Sequence, residues 1–459
     1  MNEQLFSLIK QYGVSGPRYT SYPPAPVFSP DFGPAENKLA ILENESGKHT
    51  TDTSLYVHVP FCDTLCYFCG CTTIITRNMP IIARYLSYLK KEIDLLSRMI
   101  DPQRNIVQMH WGGGTPTYLS PEQILELGAH IRKSFRFDPK AEISVEVDPR
   151  DLTYEHMKAL AATGFNRISL GVQDFNEKVQ TAVNRIQSEE ISRRAITWSR
   201  EMGFASANID LIYGLPLQTA ASFSETLKKI IDIAPERIAV YNFAYVPWMK
   251  KQHKLIHQED LPSGETKIEI LMSTIETLTA AGYDYIGMDH FARRDDELAV
   301  AQRTGKLNRN FQGYSTHAGA DLFGIGMSSI SHFGTTYAQN AKTIPDYERS
   351  LDEGILPTRV GYKMSFDDEI RKYVIMRLMC DLTLSKRDTE EKFNIRFTDY
   401  FAHSMERLEP LIGDGLVIDD ASAIRVTELG RLFLRNIAMC FDASMLRSEK
   451  PRTIYSQTV

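Results

Sequence analysis

The chain has 459 residues, enough to bury a large core, and its composition of 43% hydrophobic and 24% charged residues is typical of a globular protein. A formal net charge of -6 argues against a nucleic-acid-binding protein, because neutralising phosphates requires a basic surface. No run of 18 apolar residues and no basic segment followed by an apolar stretch is present, which predicts a cytoplasmic protein without membrane attachment.

The first 50 residues contain a proline-rich stretch, SGPRYTSYPPAP. Proline cannot donate a backbone hydrogen bond and fixes its own φ, so Pro17, Pro23, Pro24 and Pro26 exclude a continuous helix here. We predict an extended N-terminal arm over residues 1–50, with regular structure beginning after it.

Beyond the arm, short apolar runs alternate with segments whose apolar residues recur about every 3.6 positions. The runs predict buried parallel strands, and the other segments predict helices, two of them capped by Ser120 and Ser222. This alternation is typical of an α/β fold with a parallel sheet, either doubly wound or a full or partial (β/α) barrel, whose functional residues gather where strands end. The runs are SLYVHV, IVQMHW, EISVEV, RISLGV, ANIDLIY, RIAVYNFAYV and YDYIGM, and the clearest helices are IIARYLSYLKKEIDLLSRM, SPEQILELGAHIRKSF and SFSETLKKIIDIA.

After about residue 360 this alternation stops. Amphipathic segments predict helices, and LVIDDASAIRV predicts a small hairpin. We therefore predict an α/β catalytic domain over residues 51–355 and a mainly α-helical domain over residues 356–459. The helical segments are DDEIRKYVIMRLMCDL, TDYFAHSMERLEPLIGDG and TELGRLFLRNIAMCFDASML.

Four of the six cysteines, Cys62, Cys66, Cys69 and Cys71, lie within ten residues, directly after the first predicted strand. Such clustering favours a bound metal over a disulfide framework. The spacing C-x3-C-x2-C presents three thiolates that can hold three irons of a cubane cluster and leave the fourth iron free for a small molecule. A zinc site is the alternative, although it needs four ligands and only one C-x2-C pair occurs here.

This cysteine spacing resembles that of the radical S-adenosylmethionine (SAM) enzymes, and the similarity extends over nearly the whole chain to the oxygen-independent coproporphyrinogen III oxidases. The resemblance implies a partial (β/α) barrel of radical SAM type. It is carried by SGPRYTSYP, LYVHVPFC, CYFCGC, HWGGGTPT, EISVEVDPR, GFNRISLGVQDFN, VNRIQ, NIDLIYGLP, GMDHFARRDDELAVAQ, NFQGYSTH and RNIAMCFD.

The resemblance implies an oxidoreductase of haem biosynthesis that converts two propionates of coproporphyrinogen III to vinyl groups and gives protoporphyrinogen IX. A 4Fe-4S cluster on Cys62, Cys66 and Cys69 and two SAM molecules, cleaved to methionine and 5′-deoxyadenosine, are implied cofactors. The reaction would need an external one-electron reductant and a terminal electron acceptor. We expect a monomer, since no heptad repeat or exposed sticky strand is visible.

Several residues at predicted strand ends are candidate ligand contacts. Three glycines after IVQMHW allow close backbone approach, Glu146 is an acid in an apolar strand, and Phe68 is suited to cover the cluster or stack on an adenine. Tight turns, packing and helix caps are the alternative roles. The resemblance implies that Tyr56, Gly113, Glu146 and Ile330 contact the SAM on the cluster, and that Gly114, Thr115, Gln173, Arg185, Asp210 and Ala244 contact a second SAM.

Cys71 cannot be a fourth iron ligand if SAM occupies that iron, yet the similar family has a cysteine at this position. We predict a catalytic role near the substrate or the cluster, with ordinary packing as the alternative. Negatively charged propionates need cationic partners, and an arginine guanidinium can bind a carboxylate through two parallel hydrogen bonds. The candidates in stretches that match the family are Arg18, Arg293, Arg294 and Arg309.

Two other functions remain open within the same family. A haem chaperone would keep the cysteine loop, but such relatives are typically shorter and lack the second cysteine of C-G-C and much of the arm. A porphyrin-directed radical SAM methyltransferase would use the second SAM as methyl donor. The arm around Arg18, Tyr19 and Tyr22 is placed to fold over the mouth of the barrel and exclude water.

Overall fold

The computed structural model describes residues 3–47, 52–446, 455 and 458. Two helices, α1 (Glu3–Tyr12) and α2 (Pro34–Ser46), flank the proline-rich stretch of the arm. The prediction that no continuous helix spans the arm is confirmed. The expectation that regular structure begins only after residue 50 is wrong, because α1 contains no proline and Pro34 stands at the first position of α2, where proline is tolerated.

The first part of the chain after the arm contains the strands of the central sheet and two short strand pairs. Predicted strands coincide with β1 and β4 to β9 of the structure. The strands are β1 (Thr53–Val59), β2 (Phe61–Cys62), β3 (Ile74–Ile75), β4 (Asn105–Gly113), β5 (Arg136–Val147), β6 (Arg167–Gln173), β7 (Ser206–Tyr213), β8 (Arg237–Asn242), β9 (Tyr283–Gly287), β10 (His290–Arg293), β11 (Asn308–Asn310), β12 (Gly313–Ser315), β13 (Asp321–Ile325), β14 (Ile330–Phe333), β15 (Thr336–Asn340) and β16 (Thr358–Lys363).

Twelve of these strands form one mixed sheet in the order β16-β15-β14-β13-β1-β4-β5-β6-β7-β8-β10-β9. The strands from β13 to β8 pair in parallel, as the alternating pattern predicts. YDYIGM is the exception, because only Met288 and Asp289 separate β9 from β10 and so short a connection makes the pair antiparallel. The parallel strands bring their carboxyl ends to one edge, where a site is expected.

Helices join the parallel strands. Ser120 caps α4 as predicted, with its Oγ accepting from the amide of Gln123 at 3.3 Å. The prediction for Ser222 is wrong: Thr219 is the cap, and Ser222 completes a capping box from the third helical position. No helix in the described ranges is long and apolar enough to cross a membrane. The helices are α3 (Met79–Ser97), α4 (Pro121–Ser134), α5 (Tyr154–Thr163), α6 (Glu177–Ala182), α7 (Glu189–Glu201), α8 (Ala220–Ile233), α9 (Gly264–Ala280), α10 (Glu297–Arg303) and α11 (Ile344–Asp352).

The parallel strands bury apolar side chains on one face and carry polar side chains on the other. In β6 the buried Ile168, Leu170 and Val172 alternate with less buried positions, among them Ser169. Ser169 donates to Asp210 of β7 at 3.0 Å, so the polar side chains of neighbouring strands share one face. If the side chains on this face served only to fill the interior of a (β/α) barrel, they would be apolar. This polar face therefore belongs to a binding site.

The predicted C-terminal hairpin is confirmed, since β18 and β19 pair antiparallel. The first predicted helix is α12, whereas the other two are divided into shorter helices. The elements are α12 (Phe366–Asp381), β17 (Thr383–Ser385), α13 (Lys386–Phe393), α14 (Phe397–Tyr400), α15 (Ala402–Gly413), β18 (Val417–Asp419), β19 (Ala423–Val426), α16 (Leu434–Met439) and α17 (Ala443–Leu446).

The arm packs into the core of this C-terminal region. Tyr19 is buried and donates to Asp442 at 2.9 Å. The guanidinium of Arg435, also buried, donates to the carbonyl oxygens of Pro17, at 3.0 Å, and Gly16. The arm and the C-terminal helices thus form one packing unit.

Glu92 of α3 ties this helix to the far side of the sheet. Its carboxylate is buried and accepts hydrogen bonds from the amide of Gly326, at 2.7 Å, the side chain of Asn340, at 2.6 Å, and the hydroxyl of Tyr347, at 2.6 Å. Burial nevertheless outweighs these donors and raises the pKa of Glu92 from 4.5 to about 7.

We expect Glu92 to make the protein less stable as pH rises. A raised pKa in the folded state means that the folded protein binds more protons between pH 4.5 and 7, so this stabilisation, about 3 kcal/mol, is present at low pH and lost through pH 7. The thermal midpoint of the wild type should fall relative to that of Glu92→Gln between pH 5 and 8. Glu126→Gln, on the surface of α4, is the control, and identical pH profiles for all three proteins would contradict the assignment.

Candidate active site

The loop between β2 and β3 carries the clustered cysteines into a cavity of about 330 Å³ at the carboxyl edge of the parallel strands, here called the cysteine cavity. Cys62 ends β2, and Cys66 is the most buried of the four. Most of the sequence-predicted site residues line the same cavity. They are Cys62, Cys66, Phe68, Cys69, Cys71, Gly113, Gly114, Thr115, Glu146, Gln173, Arg185 and Asp210.

Two arginines point at one cysteine sulfur. Arg150 and Arg185 each place a guanidinium nitrogen 3.7 Å from Cys66 Sγ. Asp148 holds both arginines, at 2.6 Å from Arg150 and 3.0 Å from Arg185. Burial alone would raise the pKa of Asp148, but Arg185 and Arg150 hold it at about 2. Cys66 therefore faces a fixed positive charge that stabilises a thiolate or an anionic cluster.

The cysteine loop fits an iron-sulfur cluster better than a single zinc ion. Burial raises the pKa of the Cys62 thiol to about 12, so a thiolate at this position requires a bound cation. Three thiols spread around one cavity suit the separate irons of a cluster.

A segment after β8 holds the cysteine loop from outside. Gln252 donates to the carbonyl oxygen of Cys69 at 2.5 Å, and Lys250 donates to that of Cys71 at 3.2 Å. His253 Nε2 lies 3.2 Å from the carbonyl oxygen of Phe68. Sequence reasoning missed this segment, which is about 180 residues away along the chain and carries no motif.

The three glycines bring the end of β4 against the backbone that precedes the cysteine loop. A Cβ on Gly113, whose φ is +123°, would lie 2.7 Å from the carbonyl oxygen of Val59, and one on Gly114 would lie 2.6 Å from that of Pro60. The amides of Gly114 and Thr115 donate to Val59 and Phe61 at 2.8 and 2.9 Å. These glycines are thus required for backbone packing, and both amides are already used.

Glu146 of β5 extends into the cysteine cavity with 42% of its side chain exposed. Its carboxylate accepts from the amide of Gly113 at 3.0 Å and lies 3.4 Å from His110 Nε2. The ring of Tyr56 stacks on His110 with a centroid separation of 5.9 Å. Ile330 lies one strand further, since Gly324 of β13 pairs with Tyr56 and packs against the backbone of Ile330. The first predicted group of SAM contacts is therefore contiguous.

Two members of the second group are unusual polar residues. Gln173 ends β6 in a left-handed conformation, with φ of +69°, and its buried Oε1 has no hydrogen-bond partner among the described residues. Strained backbone and unpaired polar atoms cluster at functional sites. Burial, together with the charge of Glu146, raises the pKa of Asp210 to about 6. Both side chains offer oxygen acceptors to a ligand in the cysteine cavity.

The structure separates three other candidates, Ala244, Arg293 and Arg294, from this cavity. Ala244 follows β8 and lines a neighbouring cavity of about 720 Å³, together with Arg18. Arg293 and Arg294 lie beside the amino end of β8, because the amide of Arg293 donates to Glu236. That end is opposite to the cysteine loop, so a substrate at the loop is out of their reach.

Arg309 is only 7% exposed, and two of its guanidinium nitrogens have no hydrogen-bond partner in the described part of the chain. Its guanidinium lies 4.7 Å from the ring centroid of Tyr314, and this contact offsets part of the cost of burying the charge.

Comparisons with known proteins agree with this geometry. Residues 56–230 match the radical SAM superfamily, and residues 364–433 match the HemN C-terminal domain. The oxygen-independent coproporphyrinogen III oxidase of Synechocystis is 46% identical over 98% of this chain and 97% of its own length. The enzyme of the same name from Escherichia coli is 47% identical over 99% of this chain and 98% of its own.

A solved structure, that of coproporphyrinogen III oxidase (HemN) from Escherichia coli, described as a radical SAM enzyme, superposes with a TM-score of 0.91 at 47% identity. It covers 96% of this chain, and the match spans 98% of the solved chain. The chain therefore belongs to the family of oxygen-independent coproporphyrinogen III oxidases, within the radical SAM superfamily.

Proposed function

We propose that this chain oxidatively decarboxylates two propionates of coproporphyrinogen III to vinyl groups without oxygen, giving protoporphyrinogen IX in haem biosynthesis. The observation that carries the proposal is the cysteine cavity, where three thiols meet the carboxylates of Glu146 and Asp210 at the carboxyl edge of a sheet shared with the oxidases. The chaperone and methyltransferase alternatives are disfavoured by the full-length similarity to proteins named as oxidases.

We propose that Cys62, Cys66 and Cys69 hold three irons of a 4Fe-4S cluster, that Phe68 covers it, and that two SAM molecules bind beside it. When bound, these cofactors supply a radical able to remove a hydrogen atom from the substrate. The first SAM would contact Tyr56, Gly113, Glu146 and Ile330, and the second would contact Gly114, Thr115, Gln173, Arg185, Asp210 and Ala244.

The residues of this chain bind and orient the cofactors and shield the reacting groups from water. The Glu146 carboxylate, fixed by the amide of Gly113, is an acceptor for an ammonium group, and Gln173 Oε1 is a second free acceptor. Arg150 and Arg185 place positive charge beside Cys66. The docked arm lies beside the cavity that neighbours the loop and can keep water from the reacting groups.

The reaction needs two electron partners outside the described residues. Removal of a hydrogen atom from the β-carbon of a propionate, followed by loss of carbon dioxide and one electron, leaves a vinyl group. A reduced thiol cannot accept that electron, and the chain supplies no other redox group among its side chains. We therefore propose a one-electron reductant and a terminal acceptor as external partners of a cytoplasmic monomer.

Anaerobic incubation of the reconstituted protein with SAM, a reductant, an electron acceptor and coproporphyrinogen III tests the function. We expect a tetrapyrrole lighter by two carbon dioxide units and four hydrogen atoms, with 5′-deoxyadenosine formed, as measured by mass spectrometry. Deoxyadenosine without any change in the tetrapyrrole would contradict the substrate, and methyl transfer would favour the methyltransferase. Bound but unaltered haem would favour the chaperone.

Serine variants separate the cluster ligands from Cys71. Cys69→Ser should lose the visible absorbance of the cluster, because a thiolate ligand is removed. Cys71→Ser should keep that absorbance but convert the tetrapyrrole at least about tenfold more slowly, a barrier increase of about 1.4 kcal/mol. Cys380→Ser, in the core, is the control. A Cys71→Ser protein with its cluster and full turnover would show that Cys71 only packs.

A further inference from the structure

A cavity larger than the cysteine cavity lies beside it and is here called the outer cavity. It encloses about 720 Å³ between α1, the ends of β7 and β8, and α9. Its described lining includes three cations, Lys10, Arg18 and Lys267, and no aspartate or glutamate. A cavity with cations and without carboxylates attracts anionic ligands. Its volume is that of a large organic molecule rather than of a simple ion.

Lys267 is the most informative of these cations. It lies in the first turn of α9, where burial lowers the pKa of its ammonium group. The backbone amide of Lys267 donates to Ser263, but within the described chain its ammonium group makes no hydrogen bond and no ion pair. Its Cε reaches to within 2.9 Å of where a Cβ on Gly214 would stand. A half-buried ammonium without a counter-ion is unfavourable, and an anionic group of a ligand would compensate it.

Arg18 also keeps hydrogen-bonding capacity. One guanidinium nitrogen lies 3.4 Å from Asp289, and another donates to the carbonyl oxygen of Asn242 at 3.2 Å. A guanidinium has five N–H donors, so most of them remain for a ligand. A third of the side chain is exposed, and it lines the outer cavity.

Trp248 lines the outer cavity and is 65% exposed. Its exposed ring is available to contact a ligand at the mouth of the cavity. Tyr245 lines the cavity as well. Flat rings at the mouth and cations inside suit a ligand that combines an extended apolar body with several acidic groups.

The outer cavity is next to the reacting centre. Tyr241 of β8 lines the cysteine cavity, whereas the following Asn242 lines the outer cavity. The two cavities therefore border consecutive residues at the end of one strand.

We propose that the outer cavity binds the carboxylate-bearing rim of the tetrapyrrole, with Lys267 and Arg18 as the residues that bind its carboxylates and Trp248 against its macrocycle. The inference rests on the proposed function and adds residues that determine substrate specificity. Lys267 contacts propionates that are retained, so it selects a tetrapyrrole by the number of its acidic groups.

Binding of coproporphyrin III, the stable oxidised form of the substrate, tests the proposal with the full-length protein. Quenching of tryptophan fluorescence reports the dissociation constant. Lys267→Met should weaken binding about tenfold, as expected for loss of one charge-assisted contact, and Lys267→Arg should restore most of it. Lys133→Met, with the same charge change on exposed α4, is the control and should bind as the wild type does.

Two further comparisons make the result specific. Mesoporphyrin, with two carboxylates, should bind the wild type more weakly than coproporphyrin III, and Lys267→Met should reduce this discrimination. Arg18→Gln should weaken binding as well, so the proposal does not depend on one variant folding. Equal affinities of the wild type, Lys267→Met and Arg18→Gln would overturn it.

Measuring turnover distinguishes a failure of this proposal from a failure of the proposed function. If the wild type converts coproporphyrinogen III and Lys267→Met does so with an unchanged KM, the outer cavity is not the substrate site and the enzyme assignment stands. If the wild type binds coproporphyrin III through Lys267 but converts nothing, the carboxylate site stands and the assigned reaction is wrong.

Discussion

The close backbone approach between the ends of β1 and β4 positions the rest of the site. The carbonyl oxygens of Val59 and Phe61 accept hydrogen bonds from the amides that follow the end of β4. Together with that of Pro60, they lie too close to the glycines there to leave room for a Cβ. The cysteine loop starts at the residue after Phe61, and Gly113 donates to Glu146 from the same segment. One contact between two strand ends thus fixes the positions of the cysteine loop and of Glu146, and with them the cavity between the two.

Sequence patterns predicted the parts of the fold that depend on residues close together in the chain. Apolar runs identified seven strands, and the cysteine spacing identified the loop, because both signals lie within a few residues. What was missed lies in details that the apolar pattern does not specify: β9 pairs with the antiparallel β10 and not with β8, Thr219 caps α8 in place of Ser222, and helices form in the arm. Contacts of Gln252 or Lys267 depend on the whole fold and leave no trace in sequence spacing.

The two neighbouring cavities carry opposite charge. Glu146 and Asp210 face the cysteine cavity, while Lys267 and Arg18 line the outer one. Under the proposed function, the first suits SAM, whose sulfonium and ammonium groups are positive, and the second suits an acidic tetrapyrrole. Charge then sorts the two ligands into adjoining spaces before any shape complementarity acts.

The docking of the arm onto the last helices has a consequence for biosynthesis. Tyr19 and Pro17 leave the ribosome 423 and 418 residues before their partners Asp442 and Arg435. Until Arg435 and Asp442 have been made, the arm has no C-terminal core to pack against, and the outer cavity lacks the wall that the arm forms. A chain that stops before Arg435 would therefore carry the complete cysteine loop in an open, unshielded barrel.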